Sequence, residues 1–282
     1  MKYFSEPDND KLPIGTAYWV KYIRDRIKKN QNFMGCFIGQ TGTGKSYSCI
    51  SLAELIQDGF IDNDNVFFKA TDFLKRLMLG NLPKGTVLVW DEAGKDLNSK
   101  NWQAKANRVV SVVFQIFRRE NIIVLFTLPY FSFLDPDARK LVHATFETQG
   151  IDRNNKETTL KPLLIQVNQD TGKMYKKFLR VFSEEKGLIP VQRIRLPMPN
   201  EEFLKEYEKR KEEFSKQTYK EAYEALLELE SAGNPTEEER IIDKMDKEGK
   251  KQRDIAEYTK KSVQYISKKL KVISKMRDKG LL

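Results

Sequence analysis

Eight consecutive residues, Gly39-Gln40-Thr41-Gly42-Thr43-Gly44-Lys45-Ser46, place three glycines, a lysine and a hydroxyl at fixed spacing. The pattern G-x-x-x-x-G-K-[ST] suits one task, cradling phosphates. Glycines let the backbone curl so that successive N–H groups point into one concavity. A helix opening at Lys45 would add its positive end to the same anion site. Lys45 reaches the β and γ phosphates as a point charge, and Ser46 is small enough to ligate Mg²⁺ directly. Tyr47 completes the binding segment. The cofactors expected are therefore ATP and Mg²⁺.

A second motif follows at Val87-Leu88-Val89-Trp90-Asp91-Glu92. Four apolar residues form a buried strand that delivers Asp91 to the carboxyl end of a sheet, where ligands of open α/β sheets bind. Asp91 is a metal ligand candidate, acting through water. Glu92 is the candidate general base toward an attacking water. Thr127 ends the next strand, where it either senses the γ phosphate or satisfies local backbone. Arg118, Arg119 and Arg139 are candidate fingers reaching a neighbouring subunit's phosphates, with a plain surface role as the alternative for each.

Such residues need a frame. The run 33–39, FMGCFIG, reads as a buried strand, and 45–57 as the helix after it. Residues 66–70, 86–90 and 122–127 read as further strands, with helices after 70 and over 101–120. Strands alternating with helices imply βαβ units and a mostly parallel sheet covered on both faces. The runs 158–167 and 174–182, joined by Asn168-Gln169-Asp170-Thr171-Gly172, predict an antiparallel hairpin extending that sheet. Pro197 and Pro199 break the chain before a Glu- and Lys-rich helix over 201–230, whose charge reads as a solvated face. Thr236 and Glu239 predict a capping box. The domain reading is an N-terminal basic helix region at 1–30, an α/β domain at 31–198, a helical linker at 199–234 and a small all-α domain at 235–282.

Bulk properties narrow the class. The 282 residues are 40% hydrophobic and 32% charged, with a formal net charge of +10. The most apolar stretch, 109–134, is interrupted by Arg118, Arg119, Glu120 and Asn121, so no bilayer span is expected. The opening MKYFSEPDND is unlike a secretory leader. Cys36 and Cys49 are too few for a disulfide framework and read as reduced core thiols, which implies a cytoplasmic setting. From Lys250 onward eleven basic residues face three acidic ones, a local excess of +8. A basic patch of that density is the electrostatic footprint expected for polyanion binding, with a solvated charged tail as the alternative.

With these residues in view, the chain resembles P-loop ATPases that carry a glutamate directly after the Walker B aspartate. Within that group it is most similar to the FtsK–HerA family, including its Zot-like and virus-packaging branches. The resemblance covers residues 33–147 and rests on FIGQTGTGKS, VLVWDEAG, SVVFQIFRRENIIVLFTLP and LDPDARKL. The family's usual sensor is a glutamine where this chain has Thr127. The resemblance implies a homo-oligomer, commonly a hexameric ring, with ATP sites between subunits and DNA as the polymer moved.

The last segment, RDIAEYTKKSVQYISKKLKVI, is similar to a helix-turn-helix of the winged type. Its second helix would bury Val263, Ile266, Leu270 and Ile273. Arg253, Ser262, Gln264, Tyr265, Lys268 and Lys269 are the candidate DNA-binding residues, with Gln264 suited to adenine and the lysines to phosphate. A helical module for subunit contacts is the alternative. His143, without Cys or His neighbours, reads as structural. Tyr130, Phe131 and Phe133 read as packing residues before base-stacking ones, and 152–156 as a surface turn. The functions these readings support are a DNA-translocating or packaging motor and, second, an ATP-dependent DNA-binding switch, such as a loader, a transposition or replication helper or a transcription regulator.

Overall fold

The structure, a computed structural model, describes residues 12–60, 65–93, 121–183, 187–231, 235–278 and 282. The chain divides into two compact units, Met1–Lys211 and Glu212–Leu282. Arg118, Arg119 and the helix expected over 101–120 lie outside the described residues.

The first unit is an α/β P-loop NTPase fold. Its elements are α1 (Ile14–Lys28), β1 (Phe33–Ile38), α2 (Lys45–Ile56), β2 (Val66–Phe67), α3 (Ala70–Met78), β3 (Val87–Trp90), β4 (Ile123–Leu128), a 3₁₀ turn (Phe131–Phe133) and α4 (Pro136–Leu141). Then come β5 (Ala144–Asp152), β6 (Glu157–Val167), β7 (Met174–Lys177), β8 (Arg180–Ser183), β9 (Gly187–Pro190), β10 (Ile194–Pro197) and α5 (Glu201–Ser231), which continues into the second unit. The main sheet runs β10-β6-β5-β1-β4-β3-β2, with β7 on β6. The pairs β1/β4, β1/β5, β2/β3 and β3/β4 are parallel. The pairs β5/β6, β6/β10 and β6/β7 are antiparallel.

The expected hairpin is present as β6 with β7. Its second arm is shorter than the sequence implied, because residues 180–183 leave the main sheet and pair with β9 instead. Strand β1 is buried almost throughout, as a central parallel strand must be. Met34 and Cys36 face a core shared with Phe73, Trp90, Phe126, Leu134 and Ala138. Phe37 faces the other side and stacks on Phe146, 4.8 Å away, which meets Trp19 of α1 edge-on at 5.1 Å. Removing a ring such as Phe37 would cost about 3–5 kcal/mol.

Helix α1 anchors α2, the helix that opens at the glycine-rich loop. Arg24 is buried and donates to the carbonyls of Ile56 and Leu55, which α2 leaves unpaired at its end. His143 accepts a hydrogen bond from the Met34 amide at 3.0 Å and stacks on Phe33, a backbone-supporting role. Cys36 and Cys49 are fully buried, and burial pushes both thiols well above their ordinary range.

The second unit holds the rest of α5 and three shorter helices, α6 (Glu237–Lys247), α7 (Gln252–Thr259) and α8 (Val263–Asp278). They enclose Ile242, Ile255, Ala256, Ile266 and Ile273. The capping box is present, with Thr236 Oγ1 accepting from the Glu239 amide and Glu239 returning the contact. Lys260 adopts the left-handed conformation that ends α7 (φ 56°), a place usually given to glycine. The Ser262 hydroxyl accepts from the Tyr265 amide and so starts α8. Among the described residues of α6 to α8 no strand follows that could serve as a wing.

Candidate nucleotide and metal site

The eight-residue motif forms the turn between β1 and α2. Gly39 and Gly44 are required there by space. A methyl group on Gly39 would stand 2.2 Å from Thr148 Oγ1, and one on Gly44 would stand 2.7 Å from Ile151 Cγ1. Gly44 also has φ 89°, which an L-residue with a side chain resists. The loop is braced from within. Thr43 Oγ1 donates to Gln40 O at 2.7 Å and lies 2.6 Å from Thr148 Oγ1 on β5. Gly44 is the N-cap of α2, so the first-turn amides from Lys45 onward lack intrahelical carbonyls. Gly44, Lys45, Ser46 and Tyr47 border an open cleft of about 540 Å³, together with Thr41, Gly42, Glu92, Thr127, Ile151, Arg153 and Lys211.

Strand β3 is not the neighbour of β1, because β4 lies between them. That order sets Asp91 beside Thr127 at the end of β4, and opposite Ser46 at the start of α2. Ser46 Oγ donates to Asp91 at 2.9 Å, and Thr127 Oγ1 donates to Asp91 Oδ1 at 2.7 Å. The Thr127 hydroxyl also accepts the Glu92 amide at 2.9 Å, so it fixes both acids. Glu92 has φ 57°, an uncommon conformation for a glutamate, and its side chain borders the cleft.

Two further groups were not read from the sequence as parts of the site. Tyr207 OH donates to Asp91 Oδ2 at 2.5 Å. The Lys211 ammonium donates to the same oxygen and to Ser46 Oγ, both at 3.0 Å, and lies 3.3 Å from Glu92 Oε1. Both residues come from α5, whose charge had read as solvated. Its first turns are in fact docked on the sheet unit: Phe203 and Tyr207 are buried, and Arg210 donates to Val66 O at 2.9 Å. The spacing 203, 207, 210, 211 is one face of a helix, and that stripe was the readable signal.

The electrostatics follow from this crowding. Burial alone would raise the Asp91 carboxyl, but Lys211 and the hydroxyls of Thr127 and Tyr207 hold it below the ordinary carboxylate range. Burial pushes Lys45 down, and nearby Lys211 adds to that against the pull of Glu92 and Asp91. Lys211 is also opposed by burial, yet Asp91 and Glu92 carry it above its usual value. The site therefore holds Asp91 charged beside a cation. Hard oxygens from a hydroxyl and a carboxylate, already gathered around a positive charge, fit a magnesium ion.

The remaining candidates are dispersed. Arg139 Nε donates to Leu134 O at 2.7 Å and Nη2 to Ser132 O at 2.9 Å, which ties the 3₁₀ turn to α4. Phe131 and Phe133 pack partly into the core and Tyr130 is exposed. Asp152 closes its turn by accepting from the amides of Asn154 and Asn155, which leaves Arg153 bordering the cleft. In the second unit Arg253, Gln264 and Lys268 are exposed. Lys269 instead pairs with Glu239 at 2.7 Å, and Tyr265 OH donates to Glu238 at 3.3 Å. Val263, expected in the buried stripe, is largely exposed.

No protein-family model and no curated protein matches this chain. Among solved structures it is similar to the N-terminal domain of zonular occludens toxin from Neisseria meningitidis, with a TM-score of 0.32 and 15% identity over 53% of this chain and 95% of that one. It is also similar to a KaiC-like protein from Pyrococcus horikoshii, with a TM-score of 0.29 and 13% identity over 59% of this chain and 90% of that one. Likeness at that level fixes neither an activity nor a partner. No described helix is long and apolar enough to cross a membrane.

Proposed function

We propose that the chain is a magnesium-dependent ATPase that drives movement along DNA. The observation that carries the reading is the meeting of Ser46 and Asp91 at 2.9 Å, from motifs 45 residues apart, at the mouth of a glycine-built loop. Lys45 and the first-turn amides of α2 hold the β and γ phosphates. Ser46 and, through water, Asp91 would hold the metal, which would neutralise phosphate charge. Glu92 orients water and accepts its proton, while Thr127 keeps both acids in register. Ile151, Arg153 and Tyr47 are the groups offered to base and ribose.

The DNA part of the reading is supported by the concentrated positive charge after residue 250 and by the exposure of Arg253, Gln264 and Lys268 near a short turn between two helices. Lys269 and Tyr265 serve that surface by holding α8 against α6. A ring of copies, with Arg118, Arg119 or Arg139 reaching a neighbour's phosphates, completes the motor. One observation favours a second reading, an ATP-dependent DNA-binding switch: α5, which carries Lys211 to Asp91, runs on into the second unit.

ATP turnover with and without double-stranded DNA, paired with a roadblock-displacement assay, separates the two. Fast DNA-stimulated turnover with displacement is expected of the motor. Slow turnover with nucleotide-dependent DNA affinity would replace it by the switch. Absence of any magnesium–ATP binding would end both.

A further inference from the structure

Lys211 enters the nucleotide site from a helix that carries no nucleotide motif, and it arrives where a cation is needed. Its ammonium touches Ser46 Oγ and Asp91 Oδ2 at 3.0 Å each, the two groups assigned above to magnesium, and lies 3.3 Å from Glu92. Tyr207, one turn earlier, accepts from Lys211 at 3.0 Å while donating to Asp91, so the ammonium is held on several sides. Asp91 is 0% exposed.

A carboxylate buried without a counter-charge is costly, so the fold must supply a cation whenever the metal is away. An ammonium and a magnesium ion do not share these oxygens. Magnesium demands a close, near-octahedral shell, and two adjacent cations repel. We infer, resting on the reading of this cleft as a magnesium–nucleotide site, that Lys211 is the resident counter-ion of the empty site and withdraws when magnesium and nucleotide enter. The contact between α5 and Asp91 is then made in one nucleotide state and broken in the other. Lys45 has the opposite history. Its ammonium rests on Gln40 O at 2.7 Å at the edge of the cleft, and phosphates would cover it.

The two lysines make the test on the wild-type chain. A brief pulse of an amine-acetylating reagent, read by mass spectrometry, is applied without nucleotide and with magnesium plus a non-hydrolysable ATP analogue. Lys45 labelling should fall about ten-fold and Lys211 labelling should rise about three-fold or more, as each population shifts. Protection of Lys45 with Lys211 unchanged, or further protected, overturns the inference and leaves the nucleotide site standing. Unchanged Lys45 overturns the site reading and the inference with it. Lys211→Met gives a second measurement, because it keeps the apolar stem and removes the charge. The magnesium concentration that half-saturates binding of a fluorescent ATP analogue should fall about ten-fold, since the competing state is lost. No change or an increase overturns the inference.

Discussion

Two lysine–carboxylate pairs in this chain have nearly the same length and different surroundings. Lys211 meets Asp91 at 3.0 Å in the first unit, and Lys269 meets Glu239 at 2.7 Å in the second. Asp91 is wholly buried and also receives Ser46, Thr127 and Tyr207, none of which caps a helix with it. Glu239 belongs to a capping box, and its lysine ties α8 to α6. The partners of Glu239 are thus architecture. Those of Asp91 are groups that a ligand could replace, in a cleft open on one side. The same pair of functional groups serves assembly in one place and exchange in the other.

The largest expected effect tests that contrast directly. Asp91→Ala leaves Lys211 without its main partner in a buried setting, and urea unfolding should show a loss of about 3–5 kcal/mol in the first unit. A loss no greater than that of a surface pair would erase the distinction. Next, Glu92→Gln should keep nucleotide affinity and lower turnover by about 100- to 1,000-fold, because the proton acceptor is gone while the loop is intact. Full turnover would remove Glu92 from its assigned role.

Acid should weaken both units with the same sign. Asp91, Glu239 and Asp243 all sit below the ordinary range when folded: burial opposes this at each, and Lys211, Lys269 and the Lys247–Arg277 pair respectively are among the groups that outweigh it. Their stabilisation is complete above about pH 4, the unfolded value, and is lost as pH falls through the lower folded values. Lys211 is raised on folding, so its share is complete below about pH 10.4 and is lost as pH rises through the folded value. Circular dichroism during urea unfolding at pH 7, 3 and 11 checks both limbs. Stability independent of pH would deny the pairs any net role.

Smaller effects divide the lysines of α8. Lys268→Ala should lower the slope of log affinity for DNA against log salt by about one, as expected for one lost phosphate contact. Lys269→Ala leaves the buried Glu239 carboxylate with only its capping-box partners, so it should cost about 1.5–3 kcal/mol and leave that slope alone. An equal loss of slope in both variants would show that the Glu239 pair opens when DNA binds.

Much of the candidate nucleotide cleft was legible because its geometry is local. A loop that wraps phosphates needs glycines and a lysine within eight residues, and a buried strand ending in acids announces itself by composition. The parallel order of strands followed from their alternation with helices, and the capping box from two residues. Tyr207 and Lys211 were opaque for the opposite reason. They reach Asp91 across 116 and 120 positions, and only the packing of α5 brings them there. The split of residues 174–182 between two sheets was equally hidden, since alternation gives strandedness but not partners. The apolar 203–207 stripe was visible, but it lay inside a charge run that argued for solvent.

Trp90 has a further use. It directly precedes Asp91 in the chain, and its indole lies stacked on Phe73 at 5.3 Å, buried from solvent. Trp19, on the opposite face against Phe146, has no such proximity in sequence to the acids. With Trp19 and Trp102 replaced by phenylalanine, the emission of Trp90 should change when magnesium and nucleotide enter beside Asp91, and a chelator should reverse that change without any attached dye.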